Sequence, residues 1–408
     1  MNKPELLAPA GNLDKLKTAI DYGADAVYMG GARLNLRAFS DNFTNEEMME
    51  GLKYAHDRGR KVYVTINVFP HESDMKGLDE YLLNLQEIGV DAIIVSDPGV
   101  IMTAREVVPD MEIHLSTQAN NVNSRSATFW HKMGVARVIL ARELSLKEIK
   151  EIRKNIPEEL ELEAFVHGSM CMAYSGRCLL SNYMTGRDAN RGACAQPCRY
   201  KYYLVEEKRP GEYMEINEDE RGTYIMNSKD LCMIEHIPDL IASGLQSLKI
   251  EGRMKSEFYV AAIVKAYRQA IDTYFDDPEN FVYDEKWLDI LNMVSHREYY
   301  TGFYYGRGNS EIHGTSSYVR THELIAIVKE DLGDGRYLIG QKNRIYPGEK
   351  IKIMRPGDDI IEAVMTEFRD EEGIEIEVAN KAAMDFTAYS SVKLYPNDIL
   401  IKEKEDQL

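Results

Sequence analysis

Residues 91–116 read D-A-I-I-V-S-D-P-G-V-I-M-T-A-R-E-V-V-P-D-M-E-I-H-L-S. Asp91-Ala-Ile-Ile-Val95 is a short apolar run that stops at Ser96-Asp97-Pro98. A helical stretch over 99–108 follows, and then a second run, Glu112-Ile-His-Leu-Ser116. Two runs too short for helices, joined through a helix, form a βαβ unit whose strands lie parallel.

The unit repeats in both directions along the chain. Upstream, strands are expected at 5–9, 25–29 and 61–68, alternating with helices at 12–22, after a Thr44 cap with Glu46 and Glu47 in the first turn, and at 78–88. Downstream, strands are expected at 136–140 and 160–166, with helices at 124–133 and 145–155, the latter opened by a capping box from Ser145 to Glu148. After a long interruption, 247–250 supplies an eighth strand and 256–274 a closing helix. Eight such units indicate a (β/α)8 TIM-type barrel. A doubly wound open sheet has no reason to count to eight. Its glycine fingerprint is also missing, since Gly30-Gly31 follows a strand but no spaced third glycine opens the helix.

The interruption, about 171–243, is too long for a plain loop and reads as a cysteine-rich insertion after strand seven. Within it, 199–205 alternates as a strand that 223–226 can pair with, and 227–231 leads into a helix, placing Lys229 and Asp230 near its start. A further helix is expected at 284–296. Tyr299, Tyr300, Phe303, Tyr304 and Tyr305 then pack a domain junction or stack on bases. Beyond 320 the texture changes to alternating runs at 323–328, 336–340, 350–354, 362–365, 374–378 and 391–395, punctuated by Gly333-Asp-Gly335, Pro347-Gly348 and Pro356-Gly357. These predict a small C-terminal β-barrel domain. The expected division is a barrel domain at 1–312, a linker at 313–319 and the β domain at 320–408.

With 408 residues, 44% of them hydrophobic and 28% charged, the chain can bury a large core in more than one domain. Its net charge of -18 argues against general nucleic-acid binding, which rests on neutralising phosphates. Between Cys171 and Arg209, however, Arg177, Arg187, Arg191, Arg199, Lys201, Lys208 and Arg209 outnumber Asp188, Glu206 and Glu207, so this segment is locally basic and can face an anionic substrate. No run of about 18 apolar residues suggests a membrane span, and M-N-K-P-E-L-L-A-P-A holds no signal-peptide core. A cytoplasmic chain is therefore expected, without disulfides.

The segment E-A-F-V-H-G-S-M-C-M-A-Y-S-G-R-C-L-L-S from Glu163 to Ser181, with its continuation to Arg199, holds Cys171, Cys178, Cys194 and Cys198. Their spacing leaves an iron–sulfur cluster, structural zinc and redox or structural thiols open, although only Cys194 and Cys198 have the tight pairing usual for zinc. Cys232 reads as a small buried hydrophobe on a helix face. In a barrel, residues at the strand ends converge on one face. Arg33, Asn67, Asp97, Gln118, Arg142, His167 and Arg253 are therefore expected around one basin. Arg33, Arg142, Lys229 and Arg253, with Glu251 beside them, suit a carboxylate or phosphate, and each cation can equally serve a structural ion pair. His167 can be a satisfied core histidine. No H-E-x-x-H motif is present, Gly168-Ser169-Met170 lacks the second glycine of a nucleophile elbow, and a Cys171–His167 peptidase dyad is unusually local.

Glu163, Phe165, Gly168, Ser169, Met170, Cys171, Gly176, Cys178 and Ser181 match, at every spacing, the signature of the U-thirty-two peptidase family, also called collagenase-like proteases. The chain resembles that family over both domains, and its β domain favours the transfer-RNA hydroxylation branch. The resemblance implies a 4Fe-4S cluster on Cys171, Cys178, Cys194 and Cys198. It also implies oxygen-independent, prephenate-linked conversion of wobble uridine in tRNA to 5-hydroxyuridine. On this reading Asn67, Gln118 and His167 orient the donor or base, and Arg33, Arg142, Lys229, Glu251 and Arg253 bind a dianionic cosubstrate such as prephenate. The implied partners are tRNA and either a related subunit or a second copy. A peptidase, a hydroxylase acting on ribosomal RNA or another aromatic substrate, and a non-catalytic iron–sulfur scaffold are the alternatives. Cys232 has no place in the signature.

Overall fold

Seven parallel strands follow one another along the chain: Glu5–Pro9 (β1), Ala26–Gly30 (β2), Lys61–Ile66 (β3), Ala92–Val95 (β4), Glu112–Leu115 (β5), Arg137–Ile139 (β6) and Glu161–Ser169 (β7). Tyr203–Val205 (β8) and Tyr213–Glu215 (β9) form a separate hairpin, Asp230–Cys232 (β10) follows, and Ser247–Ile250 (β11) is the eighth barrel strand. β11 pairs in parallel with both β1 and β7, closing the barrel. This is a computed structural model; it describes residues 2–31, 33–34, 42–171, 173–175, 177–199, 203–205, 213–215, 229–306, 319–381 and 383–404.

The apolar runs form strands because both of their faces are covered. β2 and β4 are buried along their whole length, between the barrel interior and the outer helices. The helices of this domain are Leu13–Asp21 (α1), Asn45–His56 (α2), Glu72–Met75 (α3), Leu78–Glu87 (α4), Pro98–Val107 (α5), Ser124–Lys132 (α6), Leu146–Lys154 (α7), Leu180–Thr185 (α8), Ile237–Ala242 (α9), Glu257–Asp276 (α10) and Lys286–Asn292 (α11). Most begin at polar caps: Asn12 accepts from Lys15 N–H, Asp97 from Gly99 and Val100, and Thr44 and Ser145 each close a capping box. Strand ends and helix starts thus gather on one face of the barrel.

Two expectations are corrected, and a third falls outside the described residues. Residues 230–232 form a strand rather than a helix start. β10 lies antiparallel to β7, pairing Cys232 with His167, and Tyr299–Tyr300 (β12) adds in parallel to β10. Lys229 and Asp230 are held there by ion pairs to Glu298 and Arg297, so no helix is required to accommodate them. Residues 223–226 lie outside the described residues, and the partner of 203–205 is 213–215. The 284–296 helix is confined to α11, and of the aromatic tract Tyr304 is buried, donating to Phe165 O at 2.5 Å, which is the packing role.

The C-terminal domain is a closed antiparallel barrel. It consists of His322–Gly333 (β13), Arg336–Gln341 (β14), Lys350–Met354 (β15), Ile361–Arg369 (β16), Asp385–Ser390 (β17) and Ile399–Glu403 (β18), in the order β13-β14-β17-β16-β15-β18. The runs at 374–378 and 391–395 are not its strands. Ile374-Glu-Ile-Glu-Val378 alternates, yet it only folds back on β16 through an Arg369–Glu375 bridge, and Leu394 is buried from a loop. The domain has its own core, while Met354, Ile399 and Ile401 join the core of the large barrel. Across that seam Tyr22 Oη donates to Met354 O at 2.7 Å, and Lys265 Nζ to Arg355 O at 2.8 Å. Among the described residues no helix is long and apolar enough to cross a membrane.

Candidate active site

A cavity of about 200 Å³ opens at the carboxyl ends of the strands. Its lining combines Asn67, Gln118, Arg142, Glu251 and Arg253 with all four cysteines of the inserted segment. The long loop after β7 therefore returns over the mouth of the barrel, and its thiols face the strand ends.

Particular contacts hold that loop down. Arg177 Nε donates to Asn120 Oδ1 at 2.9 Å, and Asn120 Nδ2 donates to Ser175 O at 3.1 Å. Asn120 adopts the left-handed conformation, with φ 51°, where a short amide side chain is tolerated. Further on, Arg191 reaches Asp74 through both terminal nitrogens, at 2.8 and 3.2 Å. This forked pair ties the segment to α3.

No disulfide joins the five cysteines. Cys171 is exposed, Cys178, Cys194 and Cys198 are half-buried, and Gln196 N–H lies 3.4 Å from Cys194 Sγ. Four thiolate donors on one cavity suit an iron–sulfur cluster or zinc by donor chemistry. Among the described residues, no three His, Cys, Asp or Glu side chains are gathered closely enough to hold a metal ion.

On the strand side, Asn67 Oδ1, Gln118 Oε1 and Arg142 Nε are buried without a hydrogen-bond partner among the described residues. Such groups are costly unless a ligand or water satisfies them. Arg142 donates to Ser169 O at 2.7 Å, lies 3.8 Å from Glu251 and stacks on Phe165 at 3.9 Å. Arg253 donates to Thr65 Oγ1 at 3.0 Å and passes directly over Gly30, where a Cβ would sit 2.6 Å from the guanidinium.

The structure moves four expected residues out of the basin. Arg33 donates to Gly77 O at 2.7 Å and to Lys76 O at 2.5 Å, so it buttresses the α3–α4 turn on which Arg191 is anchored. Lys229 pairs with Glu298 at 2.7 Å, away from the cavity. Asp97 is spent on capping α5. His167 is displaced by a register shift between β7 and β11: Lys249 pairs with Phe165 but Ile250 pairs with His167, turning the imidazole outward among Tyr259, Tyr267 and Tyr299. Burial there pushes its pKa down to about 3, so the ring is neutral.

Sequence reasoning missed Tyr28, Thr65, Phe165 and Lys249, which also line the cavity. Lys249 Nζ is 2.7 Å from Glu163 Oε1 and 4.4 Å from the centre of the Tyr28 ring. Below it Glu163 also meets Arg137 at 3.3 Å, and Arg137 meets Glu5 at 2.5 Å, making a charged layer inside the barrel. Burial alone would raise the Glu163 pKa, but the Lys249 and Arg137 cations hold it below the usual range. The available signal was period-2 alternation in Leu160-Glu-Leu-Glu-Ala-Phe, which puts Glu161, Glu163 and Phe165 on the interior face.

The profile of Peptidase family U32 matches residues 11–314, and that of its C-terminal domain matches residues 320–400. "tRNA hydroxylation protein P1" of Bacillus subtilis is 42% identical over 98% of this chain and 95% of its own length. "tRNA hydroxylation protein P" of Escherichia coli is 41% identical over 88% of each. An uncharacterized protease of Methanocaldococcus jannaschii is 48% identical over 79% of this chain and 80% of its own. With both of the family's domains matched in order, the chain belongs to peptidase family U32.

Proposed function

We propose that this chain is a tRNA-modifying hydroxylase, which converts wobble uridine to 5-hydroxyuridine by an oxygen-independent route that uses prephenate. The observation that carries the reading is the meeting, in one cavity, of four thiols with the buried Asn67 Oδ1, Gln118 Oε1 and Arg142 Nε atoms, which lack a hydrogen-bond partner among the described residues. The names carried by the relatives from Bacillus subtilis and Escherichia coli, tRNA hydroxylation proteins, support the coarser part of this reading, hydroxylation of tRNA.

Cys171, Cys178, Cys194 and Cys198 would hold a 4Fe-4S cluster, which supplies one-electron chemistry when bound. The chain's own groups divide the remaining work. Arg142 and Arg253 present fixed cations to a carboxylate, with Glu251 fixing the Arg142 orientation. Asn67 and Gln118 aim amide groups at the ligand, and Gln118 is only 4% exposed, so a hydrogen bond to it is made out of water. Ile94, Ile139 and Phe165 give the cavity apolar walls that exclude water around the reacting base.

Peptidase chemistry through a Cys171–His167 dyad is disfavoured, because His167 is absent from the cavity lining and its ring is packed against tyrosines. The test is nucleoside mass spectrometry on bulk tRNA from cells lacking this gene and its functional equivalents, complemented with the intact chain or with Cys178→Ala. Hydroxyuridine derivatives are expected to return only with the intact chain, and purified Cys178→Ala is expected to lose iron. Full restoration by an iron-free Cys178→Ala protein would refute the reading.

A further inference from the structure

Lys249 is the buried amine of the cavity, and its surroundings are those of a reactive group rather than of a simple ion pair. It is 3% exposed, projects from β11 at the catalytic end of the barrel, and lies between the Tyr28 and Phe165 rings, 4.4 and 5.5 Å from their centres. Its carboxylate partner Glu163 also meets Arg137 at 3.3 Å, a guanidinium that it shares with Glu5 and Glu161. Burial lowers the Lys249 pKa, and the neighbouring Arg137 adds to that effect, against the pull of Glu163 and, more weakly, of Glu251. A desolvated lysine beside another cation is the setting in which an amine becomes a nucleophile at neutral pH.

The same cavity wall carries Arg253 and Arg142, which suit a carboxylate. An amine set beside carboxylate-binding guanidiniums fits a carbonyl carbon bonded to a carboxylate. We propose that Lys249 forms a Schiff base with a 2-oxo acid bound in this cavity. In that step the ammonium gives a proton to Glu163, 2.7 Å away. The amine lone pair then adds to the carbonyl carbon, its two remaining protons pass to the carbonyl oxygen, and the C–O bond breaks to release water as the C=N bond forms. The proton returns to the imine nitrogen, and no oxidation or reduction occurs. The iminium keeps the positive charge, so the ion pair with Glu163 survives the reaction, and Glu163 acts as its acid–base partner.

This inference goes beyond the hydroxylation reading and is tested without tRNA or turnover. The purified full-length chain is incubated with pyruvate and cyanoborohydride, and the reduced adduct is located by peptide mass spectrometry. One adduct is expected, on Lys249, and none at that position in Lys249→Arg, which retains a cation for Glu163. Arg253→Gln should lower the labelling rate with pyruvate about tenfold, the equivalent of one charge-assisted hydrogen bond, and leave labelling by acetaldehyde, which has no carboxylate, within twofold. Absence of an adduct on Lys249 in the folded wild-type chain overturns the proposal. So does labelling spread over surface lysines at the same rate in Lys249→Arg. Equal loss of both probes in Arg253→Gln overturns the assignment of the 2-oxo acid's carboxylate to that residue.

Discussion

His167 shows how a single register step changes what a side chain is for. On β7, Phe165 faces the cavity and His167 faces α10, where Tyr267 Oη comes within 3.5 Å of Nδ1 and Nε2 has no partner among the described residues. Held neutral by burial, it titrates near pH 3 in the fold and about 6.5 in the unfolded chain. Between those values the unfolded chain binds the extra proton, so this contribution is intact above about pH 6.5 and is lost as pH falls toward 3. Asp230 opposes the shift, while His296 and Lys255 reinforce it. At pH 5 the loss is about 2 kcal/mol relative to pH 7. His167→Phe, which keeps the packing against three tyrosines, should shrink the pH 7-to-5 drop in urea stability by that amount. An unchanged drop would show that another group carries the acid sensitivity.

The junction of β7 with the cysteine segment is where an element's geometry reaches the site. Gly168 has φ 109°, and a Cβ there would lie 2.4 Å from the carbonyl oxygen of Glu251, on the segment that carries Arg253. Gly168→Ala therefore costs about 2–4 kcal/mol, from unfavourable backbone conformation and from pushing β7 off β11, and should abolish tRNA hydroxylation by displacing Glu251. Gly186, which ends α8 with φ 68° and open space around its Cβ, is the control: Gly186→Ala should cost about 1 kcal/mol. Equal losses in denaturant titrations would mean that the contact with Glu251 is immaterial. The barrel strands were legible because each is a short apolar run between caps, covered on both faces. Two strands of the small barrel were not, because alternation marks any half-buried extended segment, and 374–378 satisfies it with one bridge. Whether Arg33 and Lys229 bind a ligand or serve structural contacts was open in sequence because their partners, backbone carbonyls at 76 and 77 and Glu298, are supplied by other elements. Lys249 and Glu163 were hidden for the opposite reason: inside a closed barrel a charged residue can face inward, and sequence alone does not reveal the compensating charge.

At the scale of the molecule, the two barrels have separate cores joined by a seam that contains polar groups as well as Met354, Ile399 and Ile401. Lys265, 2% exposed on α10, sends its ammonium into the small barrel to the carbonyls of Arg355 and Asp358. Tyr22, after α1, donates to Met354 O and, at 3.2 Å, to Asn397 O, and Asn397 in turn donates to Asp21 at 2.6 Å. Carbonyls left without donors in a buried seam cost about 1–3 kcal/mol each, whereas the core of either barrel is untouched by losing them. Lys265→Met and Tyr22→Phe should therefore weaken docking without unfolding either barrel, and their effects should couple, because they hold the successive carbonyls of Met354 and Arg355. The measurement is calorimetry of the intact chain. The wild type should unfold in one transition, and the double variant in two, the small barrel releasing first. A single transition at the wild-type temperature would mean that the apolar part of the seam is sufficient to hold the barrels together.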